Sequence, residues 1–78
     1  MYRELPPEAR RAARASYGLF SVNPRHRSLH FKRLRTRGLM YSARVSDDYR
    51  AVAYREGDTW VWFWIGPHSE YDQLLKRL

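Results

Sequence analysis

Six consecutive large apolar residues, Trp60-Val61-Trp62-Phe63-Trp64-Ile65, constrain this 78-residue chain more than any other feature in it. The run is far too short to cross a bilayer as a helix, which takes about 20 apolar residues. It follows the turn-forming pair Gly57-Asp58 and is dominated by aromatic and β-branched types, so it reads as a strand. Because no polar residue alternates with the apolar ones, both faces of that strand must be covered. The expectation is a helix on one face and a partner or substrate on the other, since exposed aromatic surface invites aggregation. A chain of this length makes one small domain, residues 1–78, whose core needs dense packing; three Trp, six Tyr and three Phe supply it.

The order of local signals upstream and downstream of that run gives helix, loop, three strands and a short helix. Pro6-Pro7 suits a first helical turn, where a missing N–H costs nothing, and Glu8 favours the positive end of the helix dipole. Ala9, Ala12, Ala13, Ser16, Tyr17 and Phe20 then recur at helical spacing, with Arg10, Arg11 and Arg14 on the opposite side. Asn23-Pro24 ends this helix near Val22, because the residue before proline is pushed out of the α region. From Leu39 the period changes to two, with Leu39, Tyr41, Ala43 and Val45 on one face and Met40, Ser42 and Arg44 on the other. Asp47-Asp48 supplies a turn, Tyr49 to Glu56 a second strand, and Gly57-Asp58 a second hairpin into Thr59–Ile65. A short helix is expected from Ser69, a possible N-cap, packing through Tyr71, Leu74, Leu75 and Leu78.

Charge is informative once divided along the chain. The formal net charge is +7, yet residues 1–37 carry ten Lys or Arg against Glu4 and Glu8, while residues 38–78 are nearly balanced. An N-terminal field of that sign attracts phosphate backbones and acidic proteins. There is no cysteine, which excludes a disulfide framework, a thiolate metal site and a cysteine nucleophile, and fits a reducing cytoplasm. The N-terminus has proline and arginine where a signal peptide needs an apolar stretch, so the chain is expected to be cytoplasmic, off the membrane and free of cofactors. His26 and His30 lie among arginines without the clustered ligands a metal needs, and no metal site is assigned.

The first hairpin decides whether Arg44 and Arg50 act together. A two-residue loop sends them to opposite faces. A three-residue loop, Ser46-Asp47-Asp48, pairs Arg44 with Arg50 and gathers Leu39, Tyr41, Ala43, Val45, Tyr49, Ala51 and Ala53 on one apolar face. The longer loop gives the cleaner core and is preferred. Like charges directly opposed cost stability, which suggests an anion such as a phosphate between them; alternatively, each arginine pairs with a nearby carboxylate such as Asp47, Asp48, Glu56 or Asp58. After the last strand, His68 and Tyr71 share one side of a helical turn. An imidazole that exchanges protons near neutral pH and a phenol that donates one or stacks on a base, beside two arginines, could cleave RNA without metal. The other reading of His68 and Tyr71 is a structural cap and a core tyrosine.

These residues, taken with Leu5-Pro6-Pro7-Glu8, Asn23-Pro24-Arg25-His26, Leu29-His30-Phe31-Lys32-Arg33-Leu34, Tyr41-Ser42-Ala43-Arg44-Val45, Asp48-Tyr49-Arg50-Ala51-Val52 and Trp64-Ile65-Gly66-Pro67-His68-Ser69-Glu70-Tyr71-Asp72, resemble the RelE/ParE toxin superfamily, most of all its short HigB- or RelE-like members. The resemblance implies an α+β fold: an N-terminal helix or helical hairpin on a small twisted antiparallel sheet of three to four strands, and a short C-terminal helix. It implies an antitoxin partner, in a toxin–antitoxin hetero-oligomer. It also implies either mRNA cleavage on the ribosome or, as in ParE-like members, gyrase inhibition by binding; a non-toxic, antitoxin-binding relative is a third possibility. In the first case the catalytic candidates are Arg44, Arg50, His68 and Tyr71, with Lys32, Arg33, Arg35 and Arg37 gripping RNA.

Overall fold

A computed structural model describes residues 2–35 and 38–77 of the chain. Its architecture is α+β. Helix α1 (Pro7–Val22) precedes strands β1 (Lys32–Arg33), β2 (Met40–Arg44), β3 (Tyr49–Glu56) and β4 (Thr59–Pro67), and helix α2 (His68–Arg77) closes the chain. The strands form one antiparallel sheet in the order β1-β2-β3-β4. Arg37 and Leu78, assigned to RNA contact and to packing of the last helix, lie outside the described residues.

The bounds of α1 follow from its ends. Pro7 occupies the first turn, and the N–H of Asn23 closes the last turn on the Leu19 carbonyl at 2.7 Å. Ala9 and Phe20 are its buried residues. The arginine side is only partly left to solvent: Arg10 donates to the carbonyls of Arg3 and Leu5, and Arg14 to the Tyr2 hydroxyl at 2.7 Å, so both tie the N-terminal segment to the helix.

The first hairpin has the three-residue loop. Arg44 is registered opposite Arg50, and the Val45 N–H donates to the Tyr49 carbonyl at 3.0 Å. At the second hairpin Glu56 faces Thr59, and Gly57 takes a φ of +60°, the positive value a two-residue loop demands at its first position. Strand β1 is an addition to the strands read from periodicity; two residues carry no period, and only pairing with Tyr41 and Ser42 makes them a strand.

The sheet is buried on both sides. Ala43, Ala51 and Ala53 form the buried part of the expected apolar face, under α1, although Leu39 at its end is exposed. The opposite face is a second core rather than a polar surface: Val52 is 0% exposed and Ser42 is also buried, with Leu34, Met40, Phe63, Trp64 and, from α2, Tyr71, Leu74 and Leu75 packed around Val52. Helix α2 thus covers the side of β4 that was expected to meet a partner or substrate. It begins at His68, directly after Pro67, so Ser69 sits inside its first turn rather than capping it.

A bulge between Val52 and Ala53 lets β4 serve both cores. Ala53 faces Trp62 and Arg55 faces Trp60, whereas Val52 faces Trp64. The extra residue, Phe63, shifts the alternation by one, so Trp60 and Trp62 join the α1 side and Trp64 the α2 side. On the α1 side Phe20, Phe31, Tyr41, Trp60 and Trp62 form a continuous ring cluster with centroids 4.8–6.4 Å apart. Arg55 lies over Trp60 at 4.7 Å, a cation–π contact. Beyond this cluster α1 stands off the sheet, leaving an apolar cleft of about 620 Å³ lined by Ala13, Ser16, Tyr17, Phe20, Trp62 and Ile65 among others.

Candidate active site

The tip of the β2–β3 hairpin collects most of the candidate side chains because sheet register and helix start converge there. Arg44 and Arg50 share one face of the two strands. The N–H of His68, first residue of α2, donates to the Asp48 carbonyl at 2.8 Å, which fixes the start of that helix to the same tip.

Each group has a defined setting. The Arg44 guanidinium pairs with the Asp47 carboxylate and donates to the Ser28 carbonyl at 3.4 Å. Arg50 folds back on its own loop, donating through Nη1 to the carbonyls of Ser46 at 2.6 Å, Tyr49 at 3.0 Å and Asp47 at 3.3 Å. The pairing of Arg44 with Asp47 is the carboxylate alternative weighed from the sequence. The His68 side chain is 48% exposed, and its Nδ1 lies 3.4 Å from Asp72 Oδ2, one helical turn on. That contact favours a hydrogen on Nδ1 and leaves Nε2 as the acceptor in the neutral ring.

Tyr71 is near His68, with ring centroids 5.9 Å apart, but it belongs to the core. It is 5% exposed, packs beside Trp64, and its hydroxyl is buried with no hydrogen-bond partner. The structure therefore brings Arg44, Arg50 and His68 to one end of the sheet and turns the Tyr71 hydroxyl inward. Lys32 and Arg33 are exposed on β1 at the sheet edge, and Arg35 is exposed just beyond it.

Two residues of this region were not singled out in the sequence. Asp72 stands four residues after His68, a spacing that brings side chains together on a helix and could have been noticed. Ser28 contacts Arg44 across the fold, and no local pattern announces that. Among the described residues no three His, Cys, Asp or Glu side chains assemble a metal site. No helix among them is long and apolar enough to cross a membrane.

The family model of the ParE-like toxin domain matches residues 7–73, from the first turn of α1 to the middle of α2. No curated protein and no solved structure matches the chain.

Proposed function

The chain belongs to the ParE-like toxin domain family, and on that footing we propose that it arrests growth by cutting mRNA on the ribosome. As a toxin of a toxin–antitoxin pair it has a cognate antitoxin for a partner. The observation that carries the ribonuclease reading is that Arg44, Arg50 and His68 all lie at one end of the sheet, the arginines held on one face and the backbone of the exposed His68 bonded to the same hairpin.

In the proposed reaction the 2′-hydroxyl of the substrate attacks the neighbouring phosphorus. The P–O5′ bond breaks, leaving a 2′,3′-cyclic phosphate and a free 5′-oxygen that takes a proton from water. His68 Nε2 accepts the proton of the attacking hydroxyl, with Asp72 holding the ring by its other nitrogen. Arg50 exchanges its loop carbonyls for phosphate oxygens, since hydrogen bonds between two charged groups are stronger than those to neutral carbonyls, and Arg44, held by Asp47, adds positive charge on the same face. Tyr71 serves by packing, anchoring the turn that carries His68. Lys32, Arg33, Arg35 and Arg37 contribute sequence-independent grip on ribosomal or messenger RNA.

The test is induction without antitoxin and mapping of mRNA 5′ ends during active translation. Cuts within translated codons are expected from the wild type. Their rate should fall about 10²–10⁴-fold in His68→Ala, the range for loss of a proton-transfer group, and comparably in Arg50→Ala, with antitoxin binding retained. Cutting at the wild-type rate by both variants would remove the site. A second reading, gyrase inhibition by surface contact, is favoured by one observation: Nη1 of Arg50 is already engaged by carbonyls of its own hairpin. It predicts DNA damage signalling and filamentous cells with intact mRNA.

A further inference from the structure

Beyond Arg44 and Arg50, the hairpin tip has neighbouring cations that no protein group among the described residues engages. They belong to the segment Asn23–His30, which joins α1 to β1 and abuts the tip through the bond from Arg44 to the Ser28 carbonyl. This segment is highly ordered by its own hydrogen bonds. Asn23 Oδ1 accepts from the Arg25 N–H at 3.2 Å, the Asn23 carbonyl from the His26 N–H at 3.0 Å, and the His26 and Arg27 carbonyls from the N–H groups of Leu29 and His30. Leu29, 1% exposed, anchors it in the core, and His30 completes the turn with a φ of +43°, a conformation uncommon for a side chain of that size.

On this frame Arg25, His26 and Arg27 are all exposed, and neither guanidinium has a protein partner among the described residues. No acidic residue occurs between Glu8 and Asp47, so the segment carries no counter-charge of its own, and the nearby Asp47 carboxylate is paired with Arg44. His26 is oriented as well as exposed. Its Nδ1 accepts from the Ser28 backbone N–H at 3.2 Å and lies 2.9 Å from the Ser28 hydroxyl. A backbone N–H can only donate, so in the neutral ring the hydrogen is on Nε2, a donor pointing away from the bonds that hold the ring. Two guanidinium cations and one oriented neutral N–H donor on a hydrogen-bonded loop suit an anion with several oxygens.

We infer that Arg25, His26 and Arg27 form a phosphate-binding loop that holds the RNA backbone next to the nucleotide being cut, on the side of Arg44 that meets the Ser28 carbonyl. This rests on the ribonuclease reading above and adds to it a binding site of its own. The loop suits a phosphodiester strand because His26 sets an oriented N–H between two guanidinium groups, and a strand presents phosphate oxygens at regular spacing.

Binding of the full chain to a short single-stranded RNA of mixed sequence, measured across a salt series, tests this. Arg25→Ala/Arg27→Ala should weaken binding at least 10-fold at low salt. It should also flatten the slope of log K against log salt by about 1.4, since each lost contact to a single strand removes about 0.7. His26→Ala should weaken binding less and His26→Gln, which keeps a donor, should recover it. Lys76→Ala/Arg77→Ala removes the same charge from the far end of α2 and should change affinity by less than about 2-fold. Equal losses from the two double variants, with unaltered circular dichroism, would reduce the effect to net charge and overturn the loop. So would loss of antitoxin binding with RNA binding intact. A wild-type chain that neither binds RNA nor cuts mRNA brings down the ribonuclease reading together with the loop; one that cuts mRNA while the loop variant binds RNA normally brings down the loop alone.

Discussion

Two helices cover opposite faces of one sheet with different materials. Helix α2 presents Tyr71, Leu74 and Leu75 to a face centred on Val52, and the result is a closed core. Helix α1 presents Ala13, Ser16 and Gly18 towards aromatic residues of β4, and small side chains facing large rings leave the cleft between them. What holds α1 is concentrated at Phe20, which meets three rings, and at the bond from the Ser16 hydroxyl to the Val45 carbonyl at 3.1 Å. One face is stabilised by many distributed contacts and the other by a few at one end. The face with few contacts is the one free to adjust to another molecule.

Phe20→Ala should break this comparison open. Losing a buried ring that others pack against costs about 3–5 kcal/mol. The contrast predicts that hydrogen exchange speeds up along residues 9–22 while amides of β3 and α2 stay protected. Uniform loss of protection would mean that the two faces are equally coupled. Gly66→Ala attacks the closed face instead. A Cβ at Gly66 would lie 2.9 Å from Cζ2 of the Trp64 ring, which is itself packed against Tyr71. Displacing that ring should cost about 1–3 kcal/mol, visible as a lower Tm and a changed near-ultraviolet spectrum. Tyr71→Phe probes the same face most gently. It removes a buried hydroxyl that has no partner, so stability should be unchanged or rise by up to about 1 kcal/mol, and mRNA cutting should persist. A large loss of cutting in a stable Tyr71→Phe protein would return the hydroxyl to the chemistry.

The parts of this fold that were legible in the sequence are those set by local rules. Pro6-Pro7 and Asn23-Pro24 bracket α1 through backbone sterics, and alternation from Leu39 to Ala53 fixes the hairpin register that opposes Arg44 and Arg50. The parts that were not legible depend on tertiary position. A bulge cannot be seen inside Trp60–Ile65, because a run without polar alternates has no phase to lose. Val52 and Ser42 looked like the outer side of a half-buried strand until α2 was found lying over them. At the site, the sequence located Arg44, Arg50 and His68 but not the state of their side chains. Arg50 turns Nη1 to main-chain carbonyls, and any residue supplies those. Tyr71 was placed beside His68 correctly by helical spacing, yet spacing along a helix does not say whether a hydroxyl ends in solvent or in a core.

The bulge in β4 also bears on how the molecule comes apart. Two hydrophobic clusters on opposite sides of a sheet could melt separately, each with its own helix. Here the same strand feeds Trp60 and Trp62 to one and Trp64 to the other, and slipping β4 by a single residue would empty both at once. A slip of β4 therefore disturbs both clusters together, and this one strand couples the pairing of the sheet to the packing on both of its faces.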